Sequence, residues 1–228
     1  MKISVVIPCC NEESSIKGVL TSLPKEVDEV IVVDSNSVDR TTAIALSCGA
    51  RVIEEKKRGY GAAIKKGVYA AQGDVVVTID GDGQHPVEKI LPMVRQLEEQ
   101  QIDFIVGSRF PLGTATMQPV RIIGNHFFNI VVRVLFGIHL SDSQSGMWVF
   151  RRSVLDRMSF ESDGMSISQE FKIRVAMDKT LRFAEHHITC RERDGVSKLS
   201  PLKDGIGNLQ ALFRLRWLLW NQYRNDHE

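Results

Sequence analysis

Short runs of apolar, often β-branched residues constrain the fold of this chain more than any other feature. Four of them lie at residues 3–7, 29–34, 74–80 and 104–107. They lack the alternation of a strand with one solvent face, so they predict strands buried on both faces, as in a parallel sheet. Helical patterns lie between and after them, at roughly 13–22, 40–48, 60–71 and 86–100. This order predicts an α/β fold with a mostly parallel central sheet flanked by helices.

The second half of the chain is less regular. It predicts helices at 121–137 and 166–179, strands at 146–150 and 182–190, and an amphipathic segment rich in Trp and Arg at 206–224. We find no internal repeat, low-complexity tract or linker. One domain over residues 1–228 is therefore expected.

Composition excludes several classes of protein. With 228 residues, 43% of them hydrophobic and 25% charged, the chain has enough apolar material for one sizeable core. Its net charge of +1 gives no field that would attract nucleic acid, so we expect no nucleic-acid partner. The four cysteines show no C-x-x-C pair, which indicates buried thiols in a reduced cytoplasmic protein rather than a zinc site. No segment resembles a signal peptide, and no apolar stretch reaches the roughly 20 residues that span a bilayer.

Acidic residues follow two of the predicted strands. Asp34 ends the second run and Asp80 ends the third, at the sheet edge where ligands bind in open parallel sheets. Asp82 and Gln84 follow at alternate positions, and Pro86 opens the next helix. Oxygen ligands in a tight turn suit Mg²⁺ or Mn²⁺, which leaves coordination positions for phosphate oxygens. The alternative is a polar turn whose acids cap the next helix.

Five motifs then support a resemblance. They are Pro8-x-x-Asn11-Glu12, the segment 32–41 from Val-Val-Asp34 to Thr41, Asp80-x-Asp82-x-Gln84-His-Pro86, Gly107-Ser-Arg109, and the segment 193–199 with Arg193 and Lys198. Together they resemble family 2 glycosyltransferases of the GT-A fold, and within them the dolichol-phosphate mannosyltransferase branch, which glycosylates polyprenyl phosphates. The resemblance covers roughly residues 3–200.

The resemblance implies a role for each matching residue. The donor-binding residues would be Pro8, Asn11, Glu12, Asp34, Asp80, Asp82, Arg193 and Lys198. The acceptor-binding residues would be Arg109, Arg121 and Asn125, and the metal ligands for Mg²⁺ or Mn²⁺ would be Asp80, Asp82 and Gln84. The residues expected to act in catalysis are Asp82, Arg109 and Arg121. Residues 1–110 would form the nucleotide-sugar-binding half, 111–200 the acceptor half and 201–228 a C-terminal helical segment.

The expected reaction is inverting transfer of a hexose-type sugar from GDP-mannose or a UDP-sugar to a polyprenyl (dolichyl) phosphate. Cys10, Ser35 and Asn36 depart from the family pattern in the nucleoside region and leave the donor base open. A soluble or polymeric glycan acceptor is the alternative. Polymer-making relatives usually carry Gln-x-x-Arg-Trp, and Gln210 lies too far from Arg216 for that motif.

Two other classes fit less well. A sugar-1-phosphate nucleotidyltransferase needs a glycine-rich basic loop after the first strand, and residues 8–12 do not supply one. A non-catalytic nucleotide-sugar-binding module would lack the metal-binding acids, and this chain has both. The segment Gly59-Tyr60-Gly61 could present backbone N–H groups to an anion, and Glu170 could face the donor sugar.

A polyprenyl acceptor lies in a bilayer, so the protein must reach the membrane surface. Residues 121–137 and 206–224 are the candidates, because Trp and Arg suit the interface. The alternative for each is an ordinary core-packing helix. We expect a peripheral protein on the cytosolic face of a membrane, with a membrane-protein partner or self-association as possible further contacts.

Overall fold

The computed structural model describes residues 1–110, 119–191 and 201–225. Arg193 and Lys198 lie outside the described residues. The strands are β1 (Ile3–Cys9), β2 (Glu29–Asp34), β3 (Arg51–Glu54), β4 (Val75–Thr78), β5 (Phe104–Ser108), β6 (Trp148–Arg151) and β7 (Phe183–His187). The α-helices are α1 (Ile16–Ser22), α2 (Thr41–Ser47), α3 (Tyr60–Ala70), α4 (Ile90–Glu99), α5 (Pro119–Phe136), α6 (Ile167–Met177) and α7 (Pro201–Asn225). Short 3₁₀ helices cover Val87–Lys89 and Arg152–Arg157.

The seven strands form one sheet in the order β3-β2-β1-β4-β6-β5-β7. Only β6 runs antiparallel to its two neighbours, and the remaining pairs are parallel. This confirms the predicted α/β fold with a mostly parallel sheet.

Two strands differ from the sequence-based expectation. β3 was not predicted, because it has only four residues and its terminal Arg51 and Glu54 are exposed, as is common at a sheet edge. β4 ends at Thr78, where its pairing with β6 stops, so it is shorter than the predicted run of residues 74–80. Asp80 therefore lies beyond the strand, at the start of the turn.

Apolar side chains fill both faces of the sheet. On one face the core includes Ile16 of α1, Ala45 of α2 and Met93 of α4. On the other it includes Ile64 of α3 and Phe171 of α6. The sheet is thus covered on both sides, which explains why its central strands are continuously apolar.

A third apolar cluster joins the helices of the second half. Phe128 and Val132 of α5 pack with Ile173 of α6 and with Leu212 and Leu215 of α7. Part of α5 and part of α7 therefore pack on the core, as the core-packing alternative predicted. None of the helices within the described ranges has both the length and the apolar character needed to cross a bilayer.

The topology brings the candidate residues to one edge of the sheet. β1, β2 and β4 are parallel, and β5 runs in the same direction because β6 lies antiparallel between β4 and β5. Asp34, Asp80 and Arg109 follow or end β2, β4 and β5 and so lie at their common carboxyl edge. This is where open α/β sheets bind ligands.

Candidate active site

The acidic turn after β4 is held by hydrogen bonds to its first acid. The backbone N–H of Asp80 donates to Nδ1 of His85 over 2.9 Å, and the Tyr60 hydroxyl donates to Oδ1 of Asp80 over 2.8 Å. His85 is buried and supports the turn. The Asp80 side chain keeps 32% of its surface exposed, so its carboxylate can be reached by a ligand.

A hydrogen bond from the backbone to the Asp82 side chain holds the rest of the turn. The N–H of Gln84 donates to Oδ1 of Asp82 over 3.0 Å, and Gly83 has φ of +78°, a left-handed conformation that favours glycine. Asp82 is only 5% exposed. The side-chain amide nitrogen of Gln84 lies 3.5 Å from the carbonyl oxygen of Arg191. This contact ties the turn to the segment after β7.

Two glycines allow neighbouring backbone to approach this turn. A Cβ at Gly81 would lie 2.6 Å from Sγ of Cys9. A Cβ at Gly146 would lie 3.2 Å from each carboxylate oxygen of Asp80 and 2.8 Å from the Tyr60 hydroxyl. Both positions therefore need glycine for space, and Gly146 forms one wall around the Asp80 carboxylate.

The acid pair fits a divalent ion that is shared with a substrate. Within the described ranges, no group of three or more His, Cys, Asp or Glu side chains could hold a metal ion. Mg²⁺ is commonly held by one or two carboxylates together with substrate phosphates. Asp80, which is partly exposed, and Asp82 beside it are oxygen ligands of that kind. Gln84 adds an amide oxygen two residues on.

The predicted donor residues of the first motif are tied to the loop after β2. Pro8 lies in β1 opposite Val33. The N–H of Val38 donates to Oδ1 of Asn11 over 2.8 Å, and the N–H of Glu12 donates to Thr41 over 2.8 Å. This motif therefore joins the ends of β1 and β2.

Asp34 lines a cleft of about 420 Å³ beside that loop. The other lining residues are Asn36, Ser37, Val38, Thr42, Val52 and Glu54. One Asp34 oxygen accepts from the N–H of Ser37 over 3.1 Å. The other, Oδ1, is buried without a hydrogen-bond partner in the part of the chain that the structure describes. Such an acceptor suits an N–H or O–H group of a ligand.

Arg109, after β5, is fixed by Asp142, and the sequence did not predict this pairing. Its Nε and Nη2 donate to the two carboxylate oxygens of Asp142 over 2.6 and 2.9 Å, and its backbone N–H donates over 3.1 Å. Burial disfavours the charged form of both side chains, but the attraction and hydrogen bonds between them together have the larger effect on each pKa. The pKa of Arg109 is raised and that of Asp142 is held far below its usual range.

Another predicted acceptor residue binds the same carboxylate. Asn125 of α5 is buried, and its amide donates to Oδ1 of Asp142 over 3.0 Å. Arg121 lies one turn earlier on the same face of α5. The structure thus brings Arg109 and Asn125 together on Asp142, whereas Arg121 is placed only by its position on α5. The sequence signal for this acid was the polar run of residues 142–146 before β6.

Two sequence interpretations are wrong. The N–H of Ala62 at the start of α3 donates to the carbonyl of Asp163 over 3.1 Å, so the protein itself occupies the proposed anion site. Glu170 accepts from the N–H groups of Glu161 and Ser162 over 3.0 and 2.8 Å and is buried. It holds the loop before α6 and does not face a sugar site.

Comparison with known proteins identifies the family. The model of glycosyl transferase family 2 matches residues 4–159. A dolichyl-phosphate hexose transferase of Haloferax volcanii is 36% identical over 89% of this chain and 89% of its own length. A UDP-N-acetylglucosamine--dolichyl-phosphate N-acetylglucosaminyltransferase of Methanococcus voltae is 30% identical over 69% of this chain and 72% of its own length.

Solved structures share the fold. Glucosyl-3-phosphoglycerate synthase from Mycobacterium tuberculosis, crystallised with Mn²⁺, UDP and phosphoglyceric acid, has a TM-score of 0.76 at 24% identity over 94% of this chain and 78% of its own. The same enzyme crystallised with Mg²⁺ and UDP has a TM-score of 0.73 at 25% identity over 92% of this chain and 79% of its own. The architecture is the GT-A fold of glycosyltransferases, as expected from the motifs. The chain belongs to glycosyl transferase family 2.

Proposed function

We propose that this glycosyltransferase moves a hexose-type sugar, with inversion, from GDP-mannose or a UDP-sugar to a polyprenyl (dolichyl) phosphate. One observation carries the proposal: Asp142, which fixes Arg109, and Gly146, which adjoins the Asp80 carboxylate, lie in one short loop before β6. A site for an anionic acceptor thus adjoins a site for a nucleotide diphosphate. The similarity to a dolichyl-phosphate hexose transferase supports a lipid phosphate as the acceptor.

The donor would bind at the carboxyl edge of β1, β2 and β4. Asp80 and Asp82, with Gln84, would hold the diphosphate through Mg²⁺ or Mn²⁺, as the Mg²⁺ and UDP in the related synthase suggest. A divalent ion in this position supplies positive charge to the departing diphosphate without a proton transfer. Pro8, Asn11 and Glu12 would border the nucleoside, and Oδ1 of Asp34, which lacks a hydrogen-bond partner among the described residues, would accept from its base or ribose. Arg193 and Lys198 would complete the donor site.

The acceptor needs no strong general base. A lipid phosphate oxygen is already anionic near neutral pH and can attack the anomeric carbon as the bond to the diphosphate breaks. Direct attack from the opposite side inverts the anomeric centre. Arg109 has one edge on Asp142 and keeps 21% of its side chain exposed, so its remaining N–H groups can bind the phosphate. Arg121 and Asn125 would contribute to the same site.

The assay uses purified protein with a panel of GDP- and UDP-sugars, Mg²⁺ or Mn²⁺, and three acceptors. Phytanyl phosphate represents the lipid phosphate, phytanol removes only the phosphate, and 3-phosphoglycerate represents a soluble phosphorylated acceptor. We expect glycolipid by mass spectrometry with phytanyl phosphate alone. Product with 3-phosphoglycerate alone would favour the alternative of a soluble acceptor.

The surfaces of α5 and α7 support a membrane location. The exposed apolar side chains of α5 are Val120, Ile123, Phe127, Ile130 and Val134, and those of α7 are Ile206, Phe213, Trp217 and Trp220. They recur at intervals of three, four or seven residues and so form one stripe on each helix. Arg216 lies 5.5 Å from the ring centroid of Trp220. Apolar side chains beside arginines suit the headgroup region of a bilayer. The proposed location is the cytosolic face of the membrane.

Vesicle binding tests the location. We expect wild-type protein to sediment with phosphatidylglycerol–phosphatidylcholine vesicles and the double variant Phe127→Ser/Trp217→Ser to remain in solution. The control Leu46→Ser also removes an exposed apolar side chain, but from α2. Equal binding by all three proteins would contradict the proposal. If the stripes instead bind a second copy of the chain, the double variant would change the mass in analytical ultracentrifugation.

A further inference from the structure

A buried lysine lies behind the acceptor region without a role in the mechanism above. Lys172 of α6 has no exposed surface. Its ammonium nitrogen donates to the carbonyl oxygens of Asp142, Ser143 and Ser145 over 3.2, 2.9 and 2.7 Å. Burying an ammonium group is costly unless it is paired and hydrogen-bonded. Three acceptors match its three N–H donors, so the position is built for the charged form.

These carbonyls belong to one loop, residues 141–146, between α5 and β6. Side chains from several elements bind the backbone N–H groups of this loop. Ser141 donates to Glu185 of β7 over 2.9 Å, and Ser143 donates to Asn129 of α5 over 3.0 Å. Lys172 donates to three of the carbonyls, and the carbonyl of Ser145 also accepts from the Ser168 hydroxyl and the Trp148 indole. The conformation of the loop is therefore set by side chains around it.

The loop contacts both parts of the active site. At one end Asp142 binds Arg109 through two hydrogen bonds. At the other end Gly146 adjoins the Asp80 carboxylate, and its carbonyl accepts from the Thr78 hydroxyl of β4 over 2.8 Å. A shift of the loop would thus move the acceptor arginine and the wall of the donor acid together.

We propose that Lys172 is a positioning residue, whose ammonium group holds the 141–146 loop in the conformation that positions Arg109 and the Gly146 wall of the Asp80 carboxylate for transfer. The proposal rests on the proposed function, because it assigns Arg109 to the acceptor and Asp80 to the donor. The ammonium nitrogen of Lys172 donates to the loop carbonyls and lies 5.9 Å from the centroid of the Trp148 ring.

The charge of this lysine is sensitive to pH near neutrality. Burial lowers its pKa to about 7, although Asp142 acts in the opposite direction. Among the other charged groups around it, Arg109 lowers the pKa, whereas Glu185 and Asp80 raise it. A neutral amine has only two N–H donors for three carbonyls. The hold on the loop should therefore weaken as the pH rises through this range.

The test compares Lys172→Met with the wild type. Methionine has a similar length but neither charge nor donors. A positioning role predicts a loss in kcat of about 100-fold at pH 6.5, with donor KM within about twofold, because small displacements of reacting groups are costly. We expect a lower Tm as well, because three buried loop carbonyls lose a donor. A merely structural role predicts wild-type kcat in the fraction of the variant that remains folded. The control Lys179→Met removes an exposed lysine after α6 and should behave as wild type.

Two further readouts separate this proposal from the proposed function. Hydrogen exchange of residues 141–147 should be faster in Lys172→Met than in wild type, and this measurement needs no substrate. The ratio of wild-type to variant kcat should fall as the pH rises from 6.5 to 8.5. Lack of transfer to any lipid phosphate by the wild type would refute the proposed function and leave the exchange result to decide the role of Lys172. Unchanged exchange, wild-type kcat in the variant, or a ratio independent of pH would overturn the Lys172 proposal.

Discussion

The guanidinium of Arg109 and the carboxylate of Asp142 meet edge to edge, through two hydrogen bonds of 2.6 and 2.9 Å. The acid is completely buried, whereas the arginine reaches the surface with 21% of its side chain. The pair therefore fixes one edge of Arg109 and leaves the other available. This geometry holds a flexible side chain in one orientation, as the proposed contact with a phosphate requires.

Loss of the acid should destabilise the fold. Asp142→Asn leaves a largely buried arginine without its counter-charge, which we expect to cost about 3 kcal/mol of unfolding free energy in urea at pH 7. Because the folded pKa of Asp142 lies below its ordinary value of 3.8, its contribution is present above that pH and is lost on acidification below it. The deficit of the variant should accordingly shrink below about pH 4. The exposed Asp156→Asn serves as control, and equal stability of the two variants at pH 7 would contradict the pairing.

The Tyr60 hydroxyl should affect metal binding. Burial, and next the charge of Asp80, raise the pKa of Tyr60 well above its ordinary value, so the group remains a donor to Asp80 over the working pH range. Tyr60→Phe removes this donor and should raise the Mn²⁺ concentration for half-maximal activity by about tenfold. Tyr69→Phe removes a half-exposed hydroxyl that donates to the carbonyl of Met158, and should have no effect. Identical Mn²⁺ curves for both variants would refute the role of Tyr60.

Position 146 should require glycine, because the space beside the Asp80 carboxylate does not admit a side chain. In Gly146→Ala, the new methyl group would lie 3.2 Å from the Asp80 oxygens, so the carboxylate must shift. We expect Mn²⁺ affinity to fall by about tenfold or more, measured by calorimetric titration in the presence of nucleotide. Gly164→Ala is the matched control, because a Cβ there has no neighbour within 4 Å. Wild-type Mn²⁺ affinity in the Gly146→Ala variant would argue against close contact between this loop and Asp80.

A pair of helix glycines tests the packing of the fold. Gly67 of α3 faces the sheet, where a Cβ would lie 2.8 Å from Cγ2 of Val33 and closer still to Val6, so Gly67→Ala should cost about 1–3 kcal/mol. Gly18 of α1 has no neighbour within 4 Å, so Gly18→Ala should stabilise by about 0.5–1 kcal/mol. Urea unfolding of both variants measures the difference. Stabilisation by both substitutions would show that α3 does not approach the sheet this closely.

The sequence correctly predicted those strands and helices whose own residues match their surroundings in the fold. β2 has the predicted bounds, Glu29–Asp34, because the four residues between these acids are apolar and the strand lies inside the sheet. The edge strand β3 was not predicted, because two of its four residues are charged and exposed. The start of α3 was misread as an anion site, since the carbonyl of Asp163 that occupies it lies about 100 residues away in sequence.

The candidate site likewise contains residues that short motifs reveal and residues whose contacts only the fold reveals. Asp80, Asp82 and Arg109 were predicted from motifs at strand ends, and the structure places them at one edge of the sheet. The pairing of Asp142 with Arg109 and the burial of Lys172 were not predicted, because they depend on contacts between distant segments. A lysine in a helix is usually a solvated surface residue, and only the fold shows that Lys172 is buried. Pairing of buried charges is thus the part that local sequence patterns do not reveal.

Calorimetric titration of GDP and UDP, each with Mn²⁺ or with EDTA, tests most directly whether Asp80 and Asp82 form the metal-dependent donor site. For wild-type protein we expect at least one nucleotide to bind about tenfold more tightly, or better, with Mn²⁺. The Asp80→Asn/Asp82→Asn variant should bind both nucleotides weakly and equally with and without the ion, while circular dichroism confirms its fold. A folded double variant that keeps the full Mn²⁺ effect would contradict the assignment of the acidic turn.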